Sequence, residues 1–109
     1  MNNDFKLDIV KNITVIESLK CGLLSSVSGL YESLSGNSRD ELAKMDFLAE
    51  IVINAFLLAD KTGMGSSELL SEIYKRLEVG KGTHSGSALN NEALTESKKD
   101  LLDTLKKLQ

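Results

Sequence analysis

Asp46, Glu50 and Asn54 stand four residues apart, the spacing that stacks side chains along one face of a helix. Two carboxylates and an amide in one stripe form either a remnant ligand site, able to hold a cation weakly, or a polar seam tied by hydrogen bonds between helices or subunits. Asn54 sits among apolar neighbours, so its amide needs a partner; left unsatisfied it would cost about 1–3 kcal/mol. Earlier in the chain, Ser25, Ser26, Ser28 and Gly29 form a cluster of small residues. Their hydroxyls can donate to phosphate oxygens and their size leaves room for a ligand, or they simply let two helices approach closely. Lys75 and Arg76 are placed either to reach phosphates or to complement the negative end of a helix dipole.

Other candidates carry less chemistry. Gly80-Lys81-Gly82-Thr83 has the residue types of a phosphate loop without its order, and lacks the strand before and the helix directly after that such a loop requires. His84, the only histidine, stands in a glycine-rich segment, which argues against a histidine-based metal site or catalytic pair. Cys21 is the single cysteine; it cannot form an internal disulfide and is expected to be a buried, reduced thiol.

These residues are positioned by helices. Ile9, Ile13, Ile16, Lys20, Leu23, Val27, Leu30 and Leu34 recur in alternating steps of four and three, a helical face sustained over more than three heptads. A first helix is expected from Lys6 to Leu34, capped by Asp4, with Gly22 marking either a kink or a close approach of another helix. After the turn cluster Ser35-Gly36-Asn37-Ser38 a second helix runs from Arg39 to Thr62. Its second half, residues 51–59, is apolar nearly all round, and a helix apolar on every side is covered on every side; in a small domain that implies a second subunit. Gly63 suits the left-handed position that ends a helix. A third helix, from Gly65 to Glu78, turns Leu69, Leu70, Ile73, Tyr74 and Leu77 to one side. Residues 80–91 read as a flexible linker and 92–109 as a terminal amphipathic helix, with Leu94, Leu101, Leu105 and Leu108 as its seam and Lys98 at the intervening position.

Composition agrees with an all-α bundle. In 109 residues there is no proline and no tryptophan, and aromatics are 5%, which disfavours a sheet. A net charge of -3 argues against nucleic-acid binding, which requires a positive field. The N-terminus lacks the basic-then-apolar order of a signal peptide, and residues 51–59, the longest nearly apolar run, are too short to span a bilayer. The expectation is a cytoplasmic protein without membrane contact.

The second helix ends Leu57-Leu58-Ala59-Asp60-Lys61-Thr62-Gly63-Met64. With the order of the three helices, this resembles the MazG-like family of all-α nucleotide pyrophosphatases. The family carries Leu-Leu-Glu-Glu-Val-Gly-Glu-Leu on its first core helix, where this chain reads Leu23-Leu24-Ser25-Ser26-Val27-Ser28-Gly29-Leu30. Its second core helix carries Glu-Leu-Ala-Asp-Val-Leu-x-Asn; here the stretch is Phe47-Leu48-Ala49-Glu50-Ile51-Val52-Ile53-Asn54. The resemblance covers residues 8–79. It implies a helical bundle that self-associates and, in family members, carboxylates that hold Mg²⁺ across the phosphates. Here serines occupy the paired glutamate positions, Gly29 and Phe47 two further acidic positions, and only Glu50 and Asn54 keep polar groups. A hard divalent cation wants several anionic oxygens, and neutral hydroxyls do not replace them.

The sequence therefore predicts a MazG-like core over residues 1–79 and a homodimer or homotetramer. The leading function is non-hydrolytic binding or sequestration of a nucleotide-like or phosphorylated ligand by Ser25, Ser26, Glu50, Asn54, Lys75 and Arg76, with no cofactor. One alternative is a surviving Mg²⁺-dependent pyrophosphatase rebuilt on Asp46 and Glu50. Another is a structural module that docks a protein partner through residues 92–108.

Overall fold

In the computed structural model of the chain, residues 2–36, 40–79 and 88–108 are described. They form α1 (Asn2–Leu34), α2 (Glu41–Lys61), α3 (Ser66–Val79) and α4 (Ala88–Lys107), and contain no strand. The all-α class is as predicted. Asp4 falls inside the first turn of α1 rather than before it. Positions 88–91, expected in the linker, are already helical; residues 80–87, with the phosphate-loop-like segment and His84, lie outside the described residues. The helices group into two compact units, Met1–Ser66 and Ser67–Gln109.

In the first unit α1 packs along α2. α1 is unbroken through Gly22, so of the two roles open to that glycine the close approach is realised. The positions of α1 that α2 shields are Asn12, Ile16, Leu19, Leu23, Ser26, Leu30 and Ser33, again in steps of four and three but rotated from the expected stripe. Ile9, Ile13, Val27 and Leu34 of that stripe are 45%, 55%, 41% and 64% exposed. Size explains the choice. Gly22, Ser26, Gly29 and Ser33 make a strip of small side chains on α1, and α2 can come closest there, where dispersion contacts are densest. The bulkier stripe would hold the helices apart. α1 thus keeps a second apolar face that α2 does not cover among the described residues of its unit. By length and composition alone, the segment Asp8–Leu34 is long and apolar enough to cross a membrane.

α2 starts at a cap the sequence reading had not singled out: the Ala43 N–H donates to Asp40 Oδ1 at 3.0 Å, satisfying one of the free amides of the first turn. Its end is built as expected around Gly63, at φ +88°. Thr62 N–H donates to the Leu58 carbonyl, and Met64 and Gly65 both donate to that of Ala59, so the last carbonyls of α2 find partners. Asp60 turns its carboxylate forward and Oδ1 accepts from the Ser66 N–H at 2.7 Å, fixing the start of α3. Across the unit, Asn12 Nδ2 donates to the Lys61 carbonyl at 3.1 Å, tying α1 to the end of α2.

In the second unit the predicted apolar side of α3 (Leu69, Leu70, Ile73, Tyr74 and Leu77) is the shielded one. α4 keeps Lys98 and Leu105 of its expected seam and departs from the rest. Its shielded positions are Thr95, Lys98, Leu102 and Leu105, whereas Leu94, Leu101 and Leu108 are 54%, 47% and 77% exposed. Leu102, which the heptad had left out, is at 9% the most buried of the described side chains of the helix.

Candidate functional site

The small-residue strip that draws α2 onto α1 also shapes a hollow beside it. Cys21, Ser25, Ser28 and Glu32 follow one another on α1 in steps of four, three and four, and with Leu24, Gly29 and Phe47 they line an open depression of about 540 Å³. Phe47 comes from α2. Its ring lies directly over Gly29: a Cβ at position 29 would stand 2.5 Å from both Cε1 and Cζ. Such a distance is well inside van der Waals contact, so position 29 tolerates the ring only because it has no side chain.

The sequence-predicted residues separate. Ser25 is exposed and lines the hollow, but its neighbour Ser26, one helical step away, is 9% exposed and packed inside the α1–α2 contact. The two serines cannot act together on one ligand. Asn54, 7% exposed, is pressed against Gly22, its Nδ2 3.4 Å from where a Cβ would stand. No side-chain N or O atom is both fully sealed and unpartnered among the described residues. The Asn54 amide makes no hydrogen bond there, so it keeps an opening to water at the interface edge. Asp46 and Glu50 are both exposed. The expected stripe of three thus runs from solvent into the helix interface and presents no single polar face. Lys75 and Arg76 belong to the other unit, on α3; Arg76 Nε donates to Glu72 Oε2 at 2.9 Å, an exposed pair worth little in water.

Cys21 corrects another expectation, since its thiol is exposed rather than buried. The rotation of α1 explains this: once the strip through Ser26 faces α2, Cys21 falls on its rim. Glu32 was missed by the sequence reading. The signal was its spacing of seven from Ser25 and four from Ser28, which continues one helical edge. Among the described residues Glu32 is the only charged one lining the hollow. Nearby Lys20 is turned to Glu17 at 3.0 Å.

Among the described residues the hollow thus offers hydroxyls, a thiol, a carboxylate and an aromatic ring, but no cation. Among the described residues no three His, Cys, Asp or Glu side chains converge as a metal site would require. Comparison with curated proteins and with solved structures yields no match. The sequence model of the MazG-like family does match, over residues 9–94, a stretch holding all of α2 and α3, most of α1 and the first turns of α4. With its helices in the expected order, the chain belongs to the MazG-like family.

Proposed function

We propose that this chain is a non-hydrolysing MazG-like protein that binds a nucleotide-like ligand on the hollow beside Phe47. The family is one of nucleotide pyrophosphatases, and the observation that carries the departure is the Phe47 ring lying on Gly29. Both residues occupy positions where the resemblance predicts acids. A carboxylate on a longer side chain at 29 and the ring at 47 exclude each other, and Ser26, at a third such position, is packed against α2. Glu50 is then the one carboxylate left among these positions, too few oxygens for Mg²⁺. The residues do not fit the metal, and no hydrolytic step is built on it.

For the ligand, an aromatic ring with hydroxyls and a carboxylate at its edge suits a flat, heteroaromatic group carrying N–H donors: the ring offers stacking area, Glu32 accepts, and Ser25 and Ser28 adapt as donors or acceptors. Self-association in the cytoplasm as a dimer or tetramer goes with this reading, because Met45, Leu48 and Val52 leave the outer face of α2 apolar and exposed.

Two measurements test the proposal. The purified protein with Mg²⁺ or Mn²⁺ and each nucleoside triphosphate should release no pyrophosphate above a buffer blank. A panel of nucleosides and nucleotides, observed by saturation-transfer NMR, should show base protons of at least one member in contact with the protein, lost in Phe47→Ala. Metal-dependent turnover abolished by Glu50→Gln would replace this reading with the pyrophosphatase alternative.

A further inference from the structure

We propose that a second ligand site lies in the other compact unit, between α3 and α4, and that it takes an organic phosphate with a compact, partly apolar body. Leu77 and Glu78 of α3 and Thr95, Glu96, Lys98, Lys99, Leu102 and Lys106 of α4 line a hollow of about 420 Å³, within the range of small-molecule sites. It is more enclosed than the one beside Phe47, and it lies within a single unit.

Its floor and rim differ in kind. Leu102, 9% exposed, and the half-buried Leu77 make an apolar floor. Three ammoniums, Lys98, Lys99 and Lys106, stand around it with two carboxylates, Glu78 and Glu96. Among the described lining residues the local balance is positive although the whole chain carries -3. None of these five charged groups is in an ion pair among the described residues, so the lysines keep their field for an incoming anion. Lys98 is the telling member. It occupies a shielded seam position, half-buried, where a lysine can cover apolar surface with its stem while its ammonium has no counter-ion among the described residues. A phosphate supplies that counter-ion, and Thr95, also half-buried on the same edge, adds a hydroxyl donor. The carboxylates disfavour a bare polyanion and favour a body with O–H or N–H donors next to the phosphate; the leucines favour a body that is apolar elsewhere.

The site is independent of the one beside Phe47, and the test keeps the two apart. The full ¹⁵N-labelled chain is titrated with ADP and separately with inorganic pyrophosphate, without divalent metal and at matched ionic strength. The expected result is saturable shifts of the amides of residues 95–106, with ADP binding several-fold more tightly than pyrophosphate. Lys99→Glu with Lys106→Glu, both on the exposed rim and so tolerated by the fold, should weaken ADP by about tenfold or more while leaving any response of residues 21–32 and Phe47 unchanged. Lys98→Met should weaken ADP and raise thermal stability in its absence. Equal, non-saturating responses to both probes would overturn the proposal, as would shifts confined to residues 21–32 and 47 or affinities that the double variant does not change.

Discussion

Substituting Gly29 by alanine should change sign with the residue opposite it. In a solvated helix the change is favourable by about 1 kcal/mol, since alanine has the higher propensity. Here the new methyl would stand 2.5 Å from two ring carbons of Phe47 and 3.1 Å from a third, so the ring must swing out or the helices must part. Overpacking of this kind costs about 1–3 kcal/mol, leaving Gly29→Ala destabilised by about 1 kcal/mol on balance. Phe47→Ala removes a half-buried ring and should cost about 2 kcal/mol, below the range for a fully buried phenylalanine. With the ring gone the clash is gone, and Gly29→Ala in that background should stabilise by about 1 kcal/mol. The coupling of the two positions is then about 2 kcal/mol. Urea unfolding followed by far-ultraviolet circular dichroism reads it as midpoint shifts of opposite sign at unchanged slope, at one protein concentration so that self-association does not enter. If Gly29→Ala raised the midpoint equally in both backgrounds, the ring would not lie on the glycine and the argument for a displaced acidic site would fail with it.

Gly22→Ala provides the contrast: its Cβ would meet Asn54 Nδ2 at 3.4 Å, an ordinary contact, so the variant should be stabilised by about 0.5–1 kcal/mol in the same assay. Asp60→Ala should cost about 1 kcal/mol by freeing the Ser66 N–H, while Asp60→Asn, which keeps an acceptor, should cost less; comparing the two melting curves checks the cap. Val52→Lys, on the exposed apolar side of α2, should shift sedimentation velocity toward a single-chain species with helicity retained, and an unchanged sedimentation coefficient would remove that face from any self-association.

Most of the helical architecture is written in local terms. Periodicity, the glycine at 63 and the absence of proline specify four helices and their order, because helix formation depends on near neighbours and on capping groups within a turn. The membership of the family, too, is legible in the run Leu57–Gly63 and in the apolar frame around it. Which face of each helix is used is another matter. α1 carries two apolar or small-residue stripes about a third of a turn apart, and α4 carries both Leu94–Leu101–Leu108 and Thr95–Leu102 on either side of Lys98 and Leu105. A periodicity argument favours the bulkier stripe in each case, whereas packing took the one through Ser26 on α1 and the one through Leu102 on α4. The reason on α1 is that close approach of two helices depends on the size of residues on both, as Phe47 over Gly29 shows, and that pairing joins positions 18 residues apart. From that single rotation follow the exposure of Cys21 and the parting of Ser25 from Ser26, neither of which local spacing alone determines; spacing places Glu32 on the edge of Ser25 and Ser28, and the rotation decides that this edge lines the hollow.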